Sequence, residues 1–123
     1  MNAKIADAQA AYRIATALWE TLSAEVHEAY PCPKDPEAFD AWNDMIEDAL
    51  DESGASDAAI ARRDAQIDLL RICRDELQAY ADRTGRPFAR LAFDAALGDG
   101  HAYSFHAMTK TLDLCTRLDA RTV

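Results

Sequence analysis

Ile5, Ala8, Tyr12, Ala15, Trp19, Leu22 and Val26 recur at alternating spacings of three and four, the repeat of one face of an α-helix. Asn2 supplies an N-cap, and no Gly or Pro interrupts the chain until Tyr30-Pro31. The spacing predicts a helix of about 27 residues, roughly 40 Å long at 1.5 Å per residue. A domain of this size is scarcely longer, so this helix is expected to run the length of a bundle.

Pro31, Pro33 and Pro36 in YPCPKDP end that helix, because proline lacks the amide donor and disfavours helical geometry in the residue before it. Asp35 reads as an N-cap with Pro36 at the first helical position. The second helix that follows is expected to turn Phe39, Trp42, Ile46 and Ala49/Leu50 inward and to end near Ser53-Gly54. Ser56 caps a third helix with Ile60, Ile67, Leu70, Cys73, Leu77 and Tyr80 on one face, running to Thr84-Gly85 and closed by Pro87. The run FARLAFDAAL predicts a short fourth helix with Phe88, Leu91, Ala92 and Ala95 inward, terminated by Gly98. Phe105, Met108, Leu112 and Cys115 mark a last helix, with a polar tail after Leu118. No sustained period-two alternation suggests a strand. The expected fold is all-α: a compact antiparallel helical bundle of four to five helices with a long N-terminal helix, one domain over residues 1–123.

Composition supports a packed core. Half of the 123 residues are apolar and 28% are charged, which separates the chain from disordered sequences. The net charge of −9 argues against direct binding to nucleic acid or an anionic membrane, either of which needs Lys and Arg. Charge is unevenly placed. Residues 1–34 carry three basic and four acidic side chains and residues 58–123 ten and nine, whereas residues 35–57 carry nine acidic and none basic. Three scattered cysteines, Cys32, Cys73 and Cys115, fit a reducing cytosol better than a disulfide framework. No apolar run approaches the length of a membrane span, so a soluble cytoplasmic protein is expected.

The excess charge concentrates on one helix side. Asp40, Asp44, Glu47, Asp48 and Asp51 lie away from Phe39, Trp42 and Ile46, forming a ladder of carboxylates about 6 Å apart from turn to turn. Like charges at i,i+4 cost a few tenths of a kcal/mol per pair, and a helix built only for solubility would mix in Lys or Arg. The ladder therefore reads as a docking face for a basic protein surface, including a nucleic-acid-binding groove whose phosphate spacing it would imitate. The alternative is a solvating face offset by Arg62, Arg63, Arg71 and Arg74 of the next helix.

Carboxylates also suit a hard cation. Glu25 and Glu28 lie three apart late in the first helix, and Asp48 and Asp51 three apart in the second, a set of oxygens suited to Mg²⁺ if the hairpin brings them together. This pattern, confined to residues 25–51, resembles the paired acidic motif of the all-α nucleoside-triphosphate pyrophosphohydrolases. The resemblance implies a Mg²⁺-dependent hydrolase. The second motif, however, has Asp where that family has Glu, and no Lys/Arg set lies nearby for a triphosphate.

The other candidates are weaker. His101 and His106 are five apart, about 140° round a helix, and do not converge as metal ligands would. Cys73 and Cys115 fall on apolar stripes and read as small core residues. Cys32 sits in the proline loop near Lys34, where a cation favours the thiolate, with His27 as the nearest base in sequence. Arg83, Arg86 and Arg90 surround the Gly85 turn, beside Asp82 and Asp94. Ala3, Ala10, Ala17 and Ala24 recur every seven residues on the side of the first helix opposite Tyr12 and Trp19, with Ala6 and Ile14 beside them. Such a stripe admits a close-packed helix, either within the bundle or from a second copy in a homodimer.

Size, acidity and the lack of a convergent catalytic group favour a non-enzymatic interaction protein with no cofactor. It is expected to bind and inhibit a basic partner in the manner of immunity proteins, antitoxins or anti-CRISPR inhibitors, which share its size and acidity. The hydrolase and the structural dimer are the competing expectations.

Overall fold

In the computed structural model, residues 3–85 and 105–122 are described. They form four α-helices: α1 (Ala3–Ala29), α2 (Phe39–Ser53), α3 (Ala55–Thr84) and α4 (Phe105–Thr122). A 3₁₀ turn, Pro36–Ala38, leads into α2. Among the described residues there is no strand, and the fold is an all-α helical bundle with a long N-terminal helix. The predicted fourth helix, with Phe88, Leu91, Ala92 and Ala95, lies outside the described residues, as do Asn2, Arg86, Arg90, Asp94 and His101. No described helix is long and apolar enough to cross a membrane.

By their internal contacts the residues divide into two units, Arg13–Arg63 and Met1–Tyr12 with Asp64–Val123, the division falling inside α1 and inside α3. In the Arg13–Arg63 unit the proline segment ends α1, and Asp35 caps the next turn by accepting from the Glu37 amide at 3.0 Å. The Trp42 indole N–H donates to the Tyr30 carbonyl at 2.9 Å. Gly54 at the far end of α2 lies near Leu22, so α2 runs back along α1 as an antiparallel hairpin. Ile46 and Val26 are its buried apolar residues, and Trp42, Ala49 and Leu50 are half-buried.

The turn from α2 to α3 takes a single residue. Gly54 has φ +86°, the left-handed region that a Cβ disfavours. The Ser53 hydroxyl donates to the Leu50 carbonyl at 3.0 Å and accepts from the Ala55 amide at 3.2 Å. The Ala58 amide donates to the Gly54 carbonyl at 2.9 Å. The junction is thus capped by Ser53 and Gly54, and Ser56 stands inside α3 rather than at its cap. Ala55 and Ala58 are buried here, and the Arg62 guanidinium lies 4.8 Å from the centroid of the Trp19 ring.

The other unit contains the larger core. Ile5 of α1, Leu69, Leu70, Cys73 and Leu77 of α3, and Ala107, Met108, Cys115 and Leu118 of α4 are buried together, with Tyr12 and Tyr80 packed at the edge. Each large aliphatic so buried contributes roughly 1.5–3 kcal/mol before the entropy of ordering the chain. Thr111 is also buried, and its hydroxyl donates to the Ala107 carbonyl within its own helix at 2.7 Å.

Four expectations are corrected. Phe39 is exposed, because it precedes Trp42, which already reaches the end of α1, and its ring lies 5.5 Å from that of Trp42. Ile60 is 58% exposed, since it lies about 140° round α3 from Cys73. Phe105, the first residue of α4, is exposed. Helix α4 continues through the polar tail to Thr122.

Candidate functional site: the acidic face of α2

All nine acidic residues between Asp35 and Asp57 are exposed. Local sequence explains the arrangement on α2. Trp42, Ile46, Ala49 and Leu50 turn toward the hairpin, which places Asp40, Asp44, Glu47, Asp48 and Asp51 on the opposite side. Among the described residues no ion pair or side-chain hydrogen bond engages these five carboxylates. Of the cations that could offset them, Arg62 packs on Trp19 within the same unit.

Met45 is exposed at the margin of the ladder, about 60° round the helix from Asp48. Its angle of about 100° from the buried Ile46 marks it as outward-facing. An exposed thioether beside charge is adaptable contact area of the kind found at binding surfaces.

The four carboxylates suited to Mg²⁺ are not brought together. Among the described residues no three His, Cys, Asp or Glu side chains form a group able to hold a metal ion. The physical reason is helical phase: Glu28 lies about 160° from Val26 on α1, and Asp48 about 160° from Ile46 on α2, so both point away from the seam that joins the helices. Glu25 instead borders an open groove of about 330 Å³ with Val26, Ala29, Tyr30, Ala49, Glu52 and Ser53. The acidic residue of α2 that borders the same groove is Glu52. The groove is shallow and does not enclose a ligand as small-molecule pockets do.

The Cys32 thiol is exposed and donates to the Pro33 carbonyl at 3.7 Å rather than engaging His27. His106 is exposed on α4. Arg83 edges a cleft with Ile5, Glu76, Leu77, Tyr80, Cys115 and Leu118. Ala3, Ala10, Ala17 and Ala24 are exposed along α1, together with Ile14 at 71% and Leu18 at 52%.

Comparison with protein-family models, with characterised proteins and with solved structures finds no match for this chain.

Proposed function

We propose that this chain is a non-enzymatic interaction protein that docks the acidic face of α2 onto a basic surface of a partner protein and thereby inhibits it. The supporting observation is that five carboxylates share one exposed helix side with no cation of the described residues paired to them. Their mutual repulsion is unfavourable in the isolated chain and is relieved when cationic side chains of a partner fill the spaces between them. A nucleic-acid-handling protein is the natural class of target, because its groove already presents Lys and Arg at phosphate-like intervals. Immunity proteins, antitoxins and anti-CRISPR inhibitors combine the same small size and acidity, an analogy of composition.

The test is the salt dependence of affinity for a partner purified from the native host. Steered, charge-driven association should weaken by roughly ten-fold or more between about 50 and 200 mM salt. Affinity that holds constant over that range contradicts the reading.

A second reading is supported by Ile14 and Leu18, which are large, apolar and exposed beside the alanine stripe of α1. There the protein is a structural subunit that dimerises through Ala3, Ala10, Ala17 and Ala24. Ala17→Glu should then convert a dimer to a monomer in light scattering, and a monomeric wild type ends this reading at once.

A further inference from the structure

Cys32, Cys73 and Cys115 are all thiols. Two of them meet: 42 positions apart in sequence, Cys115 donates its S–H to the Cys73 carbonyl at 3.4 Å. Both lie in the apolar core shared by α3 and α4, where Val or Ala would fill the space without chemistry. We propose that Cys73 and Cys115 are a redox modification site, closing a reversible intramolecular disulfide between α3 and α4 when the protein meets a hydroperoxide.

Access differs between the two sulfurs. Cys73 is 0% exposed, whereas Cys115 is 5% exposed and borders the cleft formed with Ile5, Glu76, Tyr80, Arg83 and Leu118. The oxidant therefore reaches Cys115 first. The Cys115 sulfur, losing its proton, attacks a peroxide oxygen; an S–O bond forms, the O–O bond breaks, and the departing oxygen leaves as water or an alcohol. The Cys73 sulfur then attacks the sulfenic sulfur of Cys115. An S–S bond forms, the S–O bond breaks, and hydroxide departs as water with the Cys73 proton. Two thiols lose two electrons and one hydroperoxide gains them.

Proximity favours the second step. The Cys115 sulfur already lies 3.4 Å from the Cys73 carbonyl oxygen, in the same core cluster of α3 and α4, so the two residues are neighbours before oxidation. In the reduced protein the Cys115 thiol holds the Cys73 thiol below its usual value, outweighing burial and the nearby Glu76, which both raise it.

The test uses the Cys32→Ser chain, which removes the exposed thiol and any intermolecular disulfide through it. After hydrogen peroxide and quenching, the unfolded protein should show no titratable thiol, against two before treatment. Peptide mapping should find Cys73 and Cys115 linked in a monomer, and the link should disappear with dithiothreitol. Methionine oxidation in the same sample reports that oxidant was present. If both thiols persist while methionines oxidise, or if the cysteines become sulfinic acids or cross-link separate chains without the internal bond, the proposal is overturned.

Discussion

The guanidinium of Arg62 lies 4.8 Å from the centroid of the Trp19 ring, joining the first turns of α3 to the middle of α1. Arg62 is the first cation in the chain after the acidic segment, and an aromatic face, not the carboxylates of α2, receives it. Arg62→Met keeps much of the aliphatic stem and removes the charge. It is expected to cost about 0.5–2 kcal/mol in urea unfolding, with an accompanying change in the fluorescence of Trp19. Arg62→Lys should recover part of the loss.

Trp42 holds the proline segment through its indole bond to the Tyr30 carbonyl. Trp42→Phe keeps an aromatic ring near Phe39 but leaves that carbonyl to solvent, at an expected cost of about 0.5–1.5 kcal/mol. Faster amide hydrogen exchange at residues 30–35, with α3 unaffected, would identify the loss as local.

Gly54 separates two effects that glycine substitutions usually mix. A Cβ there would meet only the Leu22 Cδ1 atom, at 4.0 Å, yet the backbone sits at φ +86°. Gly54→Ala should therefore destabilise by about 1–2 kcal/mol through backbone strain alone. Truncating Leu22 in the same chain should not relieve it, which a double-mutant cycle measures.

Leu70 and Ile60 both carry the apolar pattern of α3, but Leu70 is fully buried and Ile60 is not. Leu70→Ala should cost about 2–5 kcal/mol through lost contacts and a residual cavity. Ile60→Ala should stay within about 0.5 kcal/mol of wild type.

That pair also shows how far the pattern of the chain can be read. The seam from Ile5 to Val26 is buried or half-buried at every position named, and the Asp35 cap and the Gly54 end of α2 stand where local chemistry puts them. These are one-dimensional signals: a repeat of 3.6, a capping carboxylate, a residue tolerant of positive φ. Phe39, Ile60 and Phe105 misled because apolar character does not say where a helix runs out of partner or how its stripe drifts in phase. The ladder was legible because five acidic residues on one side follow from spacing alone. That no cation of the described residues pairs with it was not, since the packing of Arg62 on Trp19 is a contact between separate helices. The meeting of Cys73 with Cys115 and the presence of Glu25 and Glu52 at one groove join distant segments, which no local pattern encodes.

The proposed docking face carries a stability cost that can be measured without a partner. Changing Asp40 and Asp44 to Asn, Glu47 to Gln and Asp51 to Asn removes the like-charge pairs Asp40–Asp44 and Glu47–Asp51 and those that Asp44 and Asp51 make with Asp48, leaving Asp48–Glu52. At low salt the variant should be more stable than wild type by roughly 0.5–1 kcal/mol, because each i,i+4 repulsion costs a few tenths. Thermal melting at low and high salt checks this, and the gain should shrink as salt screens the charges.

The same quadruple variant gives the most direct measurement of all: its affinity for the partner purified from the native host, by calorimetry beside the wild-type chain. With about 0.2–1 kcal/mol at each lost charge pair, binding should weaken roughly 100-fold and become much less sensitive to salt. Equal affinity of the two folded chains at low salt would contradict a docking role for the acidic face of α2.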